Sequence, residues 1–375
     1  MDFLNGLAGY LHYLYFLPLI TVLVFVHELG HYWIARRNGV RVQVFSVGFG
    51  RELFGFTDQH GTRWKFALIP LGGYVKMFGE HALEEVLHDP KEPARARAMT
   101  DEEKAVSFDH KRLGQKAAIV FAGPAANFLF AIVLFAGLAF AFGQMTPGDF
   151  VRDGIGGVAQ GSAAEAAGLA PGDRILSVEG KAIDSFSALR DAVLASEGKG
   201  LRLDIARGED RFPVTLTPRA ATTQDGQPLW LIGVHPPGAQ REDVGIAGAA
   251  WAGVQQTAQF SWMTLASIGE MVVGDRGTEE LGGPIRIVQI SGQAASAGVE
   301  TYLLVIAVLS INLGLINLFP IPMLDGGHLL FYGIEALRGR PLGERTQEMG
   351  MRIGLAFILG LMIFLTVNDL LHFDV

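Results

Sequence analysis

Cysteine is missing altogether from the 375 residues. That excludes disulfides, CxxC redox chemistry and thiolate metal ligands, so a metal site here has to be built from histidine and carboxylate. The absence suits oxidising and reducing compartments alike and assigns neither. Charge is also scarce: 18% of residues are charged against 50% hydrophobic, with a formal net charge of −8. No basic run and no basic–aromatic alternation occurs, which argues against a nucleic-acid partner. A chain of this length holds two or three domains, and this composition points to membrane and water-soluble parts together.

Apolar runs of bilayer length, roughly 20 residues, occur at about Tyr10–Ala35, Lys116–Phe142, Thr301–Leu324 and Ile353–Leu371. The first is read as a transmembrane helix rather than a signal peptide. Its leading stretch MDFLNGLAGYLHYLYF carries no Lys or Arg, and no small-residue cleavage site follows. Basic residues flank the spans unevenly. Arg36, Arg37 and Arg41 follow the first, Lys111, Arg112 and Lys116 precede the second, and Arg338, Arg340 and Arg345 lie between the last two. By the positive-inside rule both loops are expected in the cytoplasm, with the long segment of about 145–300 on the other side.

That segment breaks into short elements. Ser162–Ala167 suits a helix stopped by Gly168, Arg174–Val178 alternates like a strand, and Ser185–Ala195 has helical spacing. Leu201–Ala206 and Phe212–Leu216 read as paired strands around a turn at Gly208–Asp210. The pattern SAAEAAGLAPGDRILSVEGKAI resembles the PDZ domains of bacterial envelope proteases, which bind extended peptides by strand addition. A spacer without a ligand is the competing reading. Further on, residues 251–272 place Trp251, Val254, Ala258, Trp262, Leu265 and Ile268 at helical spacing. They suit an amphipathic helix either at the membrane surface or packed on the soluble domain.

The loop of about 36–115 contains VQVFSVGFG and TRWKFALIPLGGYVKMFG, β-rich and broken by Pro70 and Gly72–Gly73. A hairpin or sheet dipping toward the membrane is expected, with an edge able to pair with an extended substrate. Residues 80–104, charged and Pro-containing, read as a solvated and partly mobile loop.

Within the first span stands HELGH. His27 and His31 are spaced i, i+4, so on a helix they share a face and can bind one metal ion. Glu28 points aside but can reach a water on that metal and serve as its base. Zinc suits this ligand set. Three titratable groups in a bilayer span are costly as decoration, which favours a site over a buried hydrogen-bonded cluster. A third ligand is expected in NLFPIPMLDGGH, residues 317–328. Asp325 is favoured because two histidines and one carboxylate form a common catalytic zinc set; His328 is its rival, and Asp325 could instead cap the following helix.

HELGH, IPLGGYVKMFGE, FAGPAANF and NLFPIPMLDGG, in this order, together resemble the site-2 proteases, most closely those of the bacterial regulator-of-sigma-E type. The resemblance runs over most of the chain, including LGGPIRIVQISGQAASAG. It implies zinc held by His27, His31 and Asp325, with Glu28 as catalytic base. It also implies that Asn317, and Asn127 likewise, hold substrate near the zinc. Gly72 and Gly73 look like part of the family's membrane-associated β-loop, and 251–272 like its peripheral amphipathic helix. One departure stands out: several such enzymes carry tandem PDZ domains, whereas residues 221–250 show no second AGLxxGD pattern.

The expected fold is a multi-pass α-helical membrane protein of about four transmembrane helices, with a membrane-associated β-rich loop and an inserted periplasmic α+β PDZ-like domain. Its expected segments are a first transmembrane helix (1–35), a cytoplasmic loop with a β-hairpin or sheet (36–115) and a second transmembrane helix (116–143). A PDZ-like domain (144–235), a periplasmic linker with an amphipathic helix (236–300) and the last two transmembrane helices (301–375) follow. The expected function is intramembrane zinc proteolysis in a bacterial inner membrane, with the zinc near the cytoplasmic side. Substrates would be single-span proteins, such as an anti-sigma factor or remnant signal peptides; other partners are the lipid bilayer and a peptide ligand of the PDZ-like domain. Two other classes compete: a PDZ adaptor with structural zinc, and a metal transporter.

Overall fold

The computed structural model describes residues 12–80, 99–146, 148–222, 228–238, 240–274 and 282–371. It forms two compact units: Met1–Phe142 with Val244–Val375, and Gly143–Asp243. The start of the expected first span at Tyr10, and residues 81–98 of the expected charged loop, lie outside the described residues.

In the first unit a 22-residue helix, α1 (Phe16–Arg37), places Arg36 and Arg37 in its last turn and stops at Asn38 and Gly39, whose φ is +69°. Two long strands follow, β1 (Val42–Thr57) and β2 (Arg63–Met77), paired with repeated register shifts. The chain curls so that Phe45 lies beside both Val75 and Trp64, and Trp64 beside both Phe45 and Phe56. Bulges of this kind bend a strand and increase its twist. The aromatic rings stack across the sheet, with Phe45 and Trp64 4.2 Å apart at their centroids. Asp58 organises the turn between the strands, accepting from Trp64 Nε1, His60 N, Thr62 N and the Tyr32 hydroxyl. Burial alone would raise the Asp58 carboxyl, but these donors outweigh it and hold it at about 2. The apolar tip of the sheet, with Phe49, Leu53, Phe54, Phe56, Leu68 and Ile69, is exposed.

A short helix, α2 (Asp101–Val106), begins with a capping box between Thr100 and Glu103. The 30-residue helix α3 (Leu113–Phe142) then runs along α1. Gly30 allows this closeness, since a Cβ there would overlap the Ala122 carbonyl. Pro124 sits inside α3 and removes one helical N–H, which packed neighbours can offset.

The second unit contains β3 (Gln144–Thr146), α4 (Phe150–Asp153), β4 (Gly157–Val158), α5 (Ala163–Ala166), β5 (Arg174–Val178), β6 (Lys181–Ala182) and α6 (Phe186–Ala195). It continues with β7 (Leu201–Arg207), β8 (Asp210–Leu216), β9 (Arg219–Thr222), β10 (Pro228–Leu231), β11 (Val234–His235) and β12 (Gln240–Glu242). The main sheet has the order β6-β5-β7-β8, and β3 pairs with β12 where the chain enters and leaves the unit. Leu203 and Ile205 alternate on β7 and, with Ile175 and Val178 from either side of a register shift in β5, meet Leu189 and Val193 of α6 in the core. Ser162 and Ser185 cap α5 and α6.

Back in the first unit, α7 (Ile246–Val273) contains the helix expected over 251–272 and lies within the segment 236–300. It is longer and packs along α3, within the membrane-helix unit. A face of small residues makes this contact. Ala249 and Ala252 bury against Ala139, a Cβ on Gly253 would overlap the Ile132 carbonyl, and Phe260 stacks on Phe135. Trp251 and Trp262 face outward. Helix α8 (Pro284–Ala297) leads into α9 (Val299–Leu318), which ends before Pro320, short of the expected Leu324. Then come α10 (Asp325–Arg338) and the largely exposed α11 (Glu344–Leu371). Asp369 near the end of α11 accepts from Gly283, Ile285 and Arg286 N–H groups, satisfying the free N-terminus of α8.

Four helices, Phe16–Arg37, Leu113–Phe142, Val299–Leu318 and Arg345–Leu371, are long and apolar enough to cross a membrane.

Candidate metal centre

Helices α1 and α10 bring His27, His31 and Asp325 to one point. The i, i+4 spacing turns both imidazoles to the same side of α1, with ring centroids 4.8 Å apart. Asp325 opens α10 after the bend at Pro320 and Pro322. Just before it, Met323 takes a φ of +85°, a left-handed conformation that a non-glycine residue adopts only under local constraint. Gly326 and Gly327 press against the Leu318, Phe319 and Ile321 carbonyls, where a Cβ would overlap backbone. This tight corner fixes where the Asp325 carboxylate points.

The spacing fits zinc. His27 Nε2 and His31 Nε2 are 3.2 Å apart, and Asp325 Oδ2 is 3.2 Å from the first and 3.5 Å from the second. Ligands about 2.0–2.1 Å from a tetrahedral ion lie about 3.3–3.4 Å from one another. Asp325 Oδ2 is buried and has no aligned hydrogen-bond donor. A buried carboxylate oxygen that faces two ring nitrogens without an aligned hydrogen bond suits a cation at their centre. Among the described residues this is the one group of three such side chains so arranged. His328 lines the same cavity but is not among the converging atoms.

Helix α3 supports both imidazoles from behind. His31 Nδ1 donates to the Ile119 carbonyl at 2.9 Å, which leaves Nε2 free as a ligand. Asn127, fully buried, places Nδ2 3.1 Å from His27 Nδ1. Gly123 makes room for the His31 ring. Antiparallel packing thus sets Gly123 and Asn127, four residues apart on α3, against His31 and His27 on α1.

Glu28 is buried at 8% exposure beside the three converging side chains. Strand β2 passes over it: a Cβ on Gly73 would meet Ser46 O at 2.6 Å, Val24 Cγ1 at 2.7 Å and Glu28 Cγ at 3.0 Å. Gly72 has a φ of +128°. A cavity of about 580 Å³ opens from this point, lined by the metal-facing residues, Gly73–Val75, Asn317, His328, and also Glu80, Asp109, Lys116, Tyr332 and Glu335. Asn317 donates its amide to the Leu313 carbonyl at 3.0 Å, which leaves its amide oxygen as an acceptor.

Sequence reasoning missed the Ile119 carbonyl, Gly123, Met323 and the acidic cavity wall. Only Gly123 left a legible signal: Gly123 and Asn127 repeat the four-residue spacing of His27 and His31.

A model of peptidase family M50 matches residues 15–361. The Agrobacterium fabrum protein named "Putative zinc metalloprotease Atu1380" is 41% identical over 372 residues, covering 97% of this chain and 96% of that protein. A Rhizobium meliloti protein named in the same way is 42% identical over 373 residues, with 95% of each covered. The Salmonella typhimurium "Regulator of sigma-E protease RseP" is 33% identical over 449 aligned residues, covering 93% of this chain and 96% of its own length. That alignment is longer than this chain, so the relative contains residues that this chain lacks.

Proposed function

Because the chain belongs to peptidase family M50 and is a zinc-dependent membrane metalloprotease, we propose that it cuts single-span membrane proteins within the bilayer. The observation that carries this is the burial of Glu28 beside His27 and His31 in a helix of membrane-crossing length, with a strand passing directly over it. The adaptor and transporter readings give way to the metalloprotease assignment.

His27, His31 and Asp325 would hold the zinc, with Glu28 beside them. When bound, the zinc supplies Lewis-acid polarisation of the scissile carbonyl and lowers the pKa of a water. Glu28 takes the water's proton and delivers it to the departing amide nitrogen. A helical substrate amide is hydrogen-bonded within its own helix and shielded, so the substrate has to be extended locally. The edge of β2 within 66–78 offers strand pairing for that extended form, and Gly73 keeps the strand close to Glu28 while Gly72 packs on the Phe49 ring. Asn317 on the cavity wall would accept from a substrate N–H.

The basic flanks of the four helices support a cytoplasmic β1–β2 sheet and a periplasmic second unit in a bacterial inner membrane. The β6-β5-β7-β8 sheet, helix α6 and the AGLAPGD loop support a PDZ-like role for that unit, in a single copy. The name of the Salmonella relative favours an anti-sigma factor as substrate; remnant signal peptides share the needed chemistry, one apolar span freed of its outer domain. In a test, tagged single-span substrates and an unfolded soluble protein would be incubated with purified enzyme in lipid vesicles, and the products read by mass spectrometry. Cuts inside the span are expected. Cleavage of the soluble protein alone would overturn the substrate class.

A further inference from the structure

Asn127 is fully buried in α3, and its backbone carbonyl accepts from the buried Ser310 hydroxyl of α9 at 2.9 Å. Its amide nitrogen faces His27 Nδ1, while its amide oxygen is buried with no partner. It does not line the cavity, whereas Asn317 does. The expected contact of Asn127 with substrate therefore gives way to a contact with His27.

A count of protons decides what that contact does. Neutral imidazole carries one N–H, and a ligating nitrogen needs a free lone pair. His27 Nε2 is the atom that converges with His31 Nε2 and Asp325 Oδ2. In the zinc-loaded enzyme His27 therefore carries its proton on Nδ1, which requires an acceptor. An amide nitrogen cannot accept. The two ends of a carboxamide are nearly equal in size, and a half-turn about its bond places Oδ1 on Nδ1–H and gives the orphaned oxygen its partner. His31 has the equivalent acceptor in the Ile119 carbonyl of the same helix.

We infer that Asn127 is a positioning residue whose amide oxygen accepts from His27 Nδ1–H and holds His27 in the tautomer and orientation that present Nε2 to zinc. The inference rests on the reading of His27 as a metal ligand. Outer partners of this kind influence metal affinity strongly.

The test compares full-length wild type, Asn127→Leu and Asn127→Asp in detergent, without substrate. Zinc affinity is measured by competition with a chelating dye, and unfolding is followed on the zinc-stripped proteins. Asn127→Leu, which has no acceptor, should lose about 10–100-fold in zinc affinity, whereas Asn127→Asp, which keeps one, should stay within about threefold of wild type or bind more tightly. The zinc-stripped proteins should unfold alike. Should Asn127→Leu not fold, Asn127→Ala takes its place in the same comparison. The inference is overturned if the variant without an acceptor binds zinc like wild type, or if Asn127→Asp loses as much affinity. It is overturned too if the lost affinity is matched by an equal loss of stability without zinc. Because no cleavage is read, failure of the proposed substrate class would leave this result standing.

Discussion

Gly123 and the imidazole of His31 compete for the same space: a Cβ on Gly123 would overlap Nε2, Cε1 and Cδ2 of the ring. The ring cannot easily move aside, because its Nδ1 is tied to the Ile119 carbonyl one turn back on the same helix. Gly123→Ala should therefore displace a ligand while leaving both helices apolar and helical, since Ala is a better helix former than Gly. The expected outcome is a fall of about 10–100-fold in zinc affinity, measured by chelator competition on protein that still folds. Unchanged affinity would mean that His31 does not sit at this position when zinc is bound.

The choice between Asp325 and His328 can be settled with two substitutions. Asp325 Oδ2 lies 3.2 Å from His27 Nε2 and 3.5 Å from His31 Nε2, whereas His328 only lines the cavity. Asp325→Ala should lower both zinc content and cleavage. His328→Ala should leave zinc content at the wild-type level, as read by atomic absorption. The reverse pattern would exchange their roles.

Gly73 should separate substrate handling from metal binding. A Cβ there would crowd Ser46 O, Val24 and Glu28 and push β2 away, and none of its three nearest atoms belongs to His27, His31 or Asp325. Gly73→Val is expected to keep the zinc and to lower cleavage of a single-span substrate by at least about tenfold, as misplacement of substrate by an ångström commonly does. Loss of zinc in parallel would show that the strand supports the metal centre instead.

Glu80 gives a pH signature. Burial is the main reason that its carboxyl is raised from the ordinary 4.5 to about 7, although Met77 N–H partly offsets this from 3.4 Å. The folded protein thus binds more protons at this group than the unfolded chain does between pH 4.5 and 7, and stability falls as pH rises through that window. Glu80→Gln removes this dependence. The variant should unfold at a higher temperature than wild type at pH 8 and show little gain at pH 4.5. A variant less stable than wild type at pH 8 would point to a charged partner for Glu80.

The helices and the HELGH pair were legible because each rests on a local signal. The four spans are long apolar runs, and His27 and His31 carry helical spacing within one of them. Asp325 could be favoured over His328 on chemistry, but its placement depends on the strained turn at Met323 and on glycines packed against carbonyls, contacts made by chain folding back on itself. The helical spacing of α7 was legible, but its packing partner was not, for a related reason. Its tryptophans suggested a surface helix, while the face that decides its position is built of Ala249, Ala252 and Gly253, small residues that carry no hydrophobic signal. Asn127 was noticed as a motif residue, but only the packing of α3 on α1 brings it to His27. Likewise, the doubled pairing of Phe45 with Val75 and Trp64 follows from register shifts that alternation alone does not encode.

The central claim is that Glu28 performs the proton transfer next to a zinc held by other residues. Its most direct test is Glu28→Gln, which keeps nearly the same shape and removes the base. Zinc content and cleavage of a tagged single-span substrate would be measured on the same preparations as wild type. The account predicts equal zinc in both proteins, with the rate of the variant lower by about 10²–10⁴-fold or more. A Glu28→Gln protein that carries zinc and cleaves at the wild-type rate would contradict it.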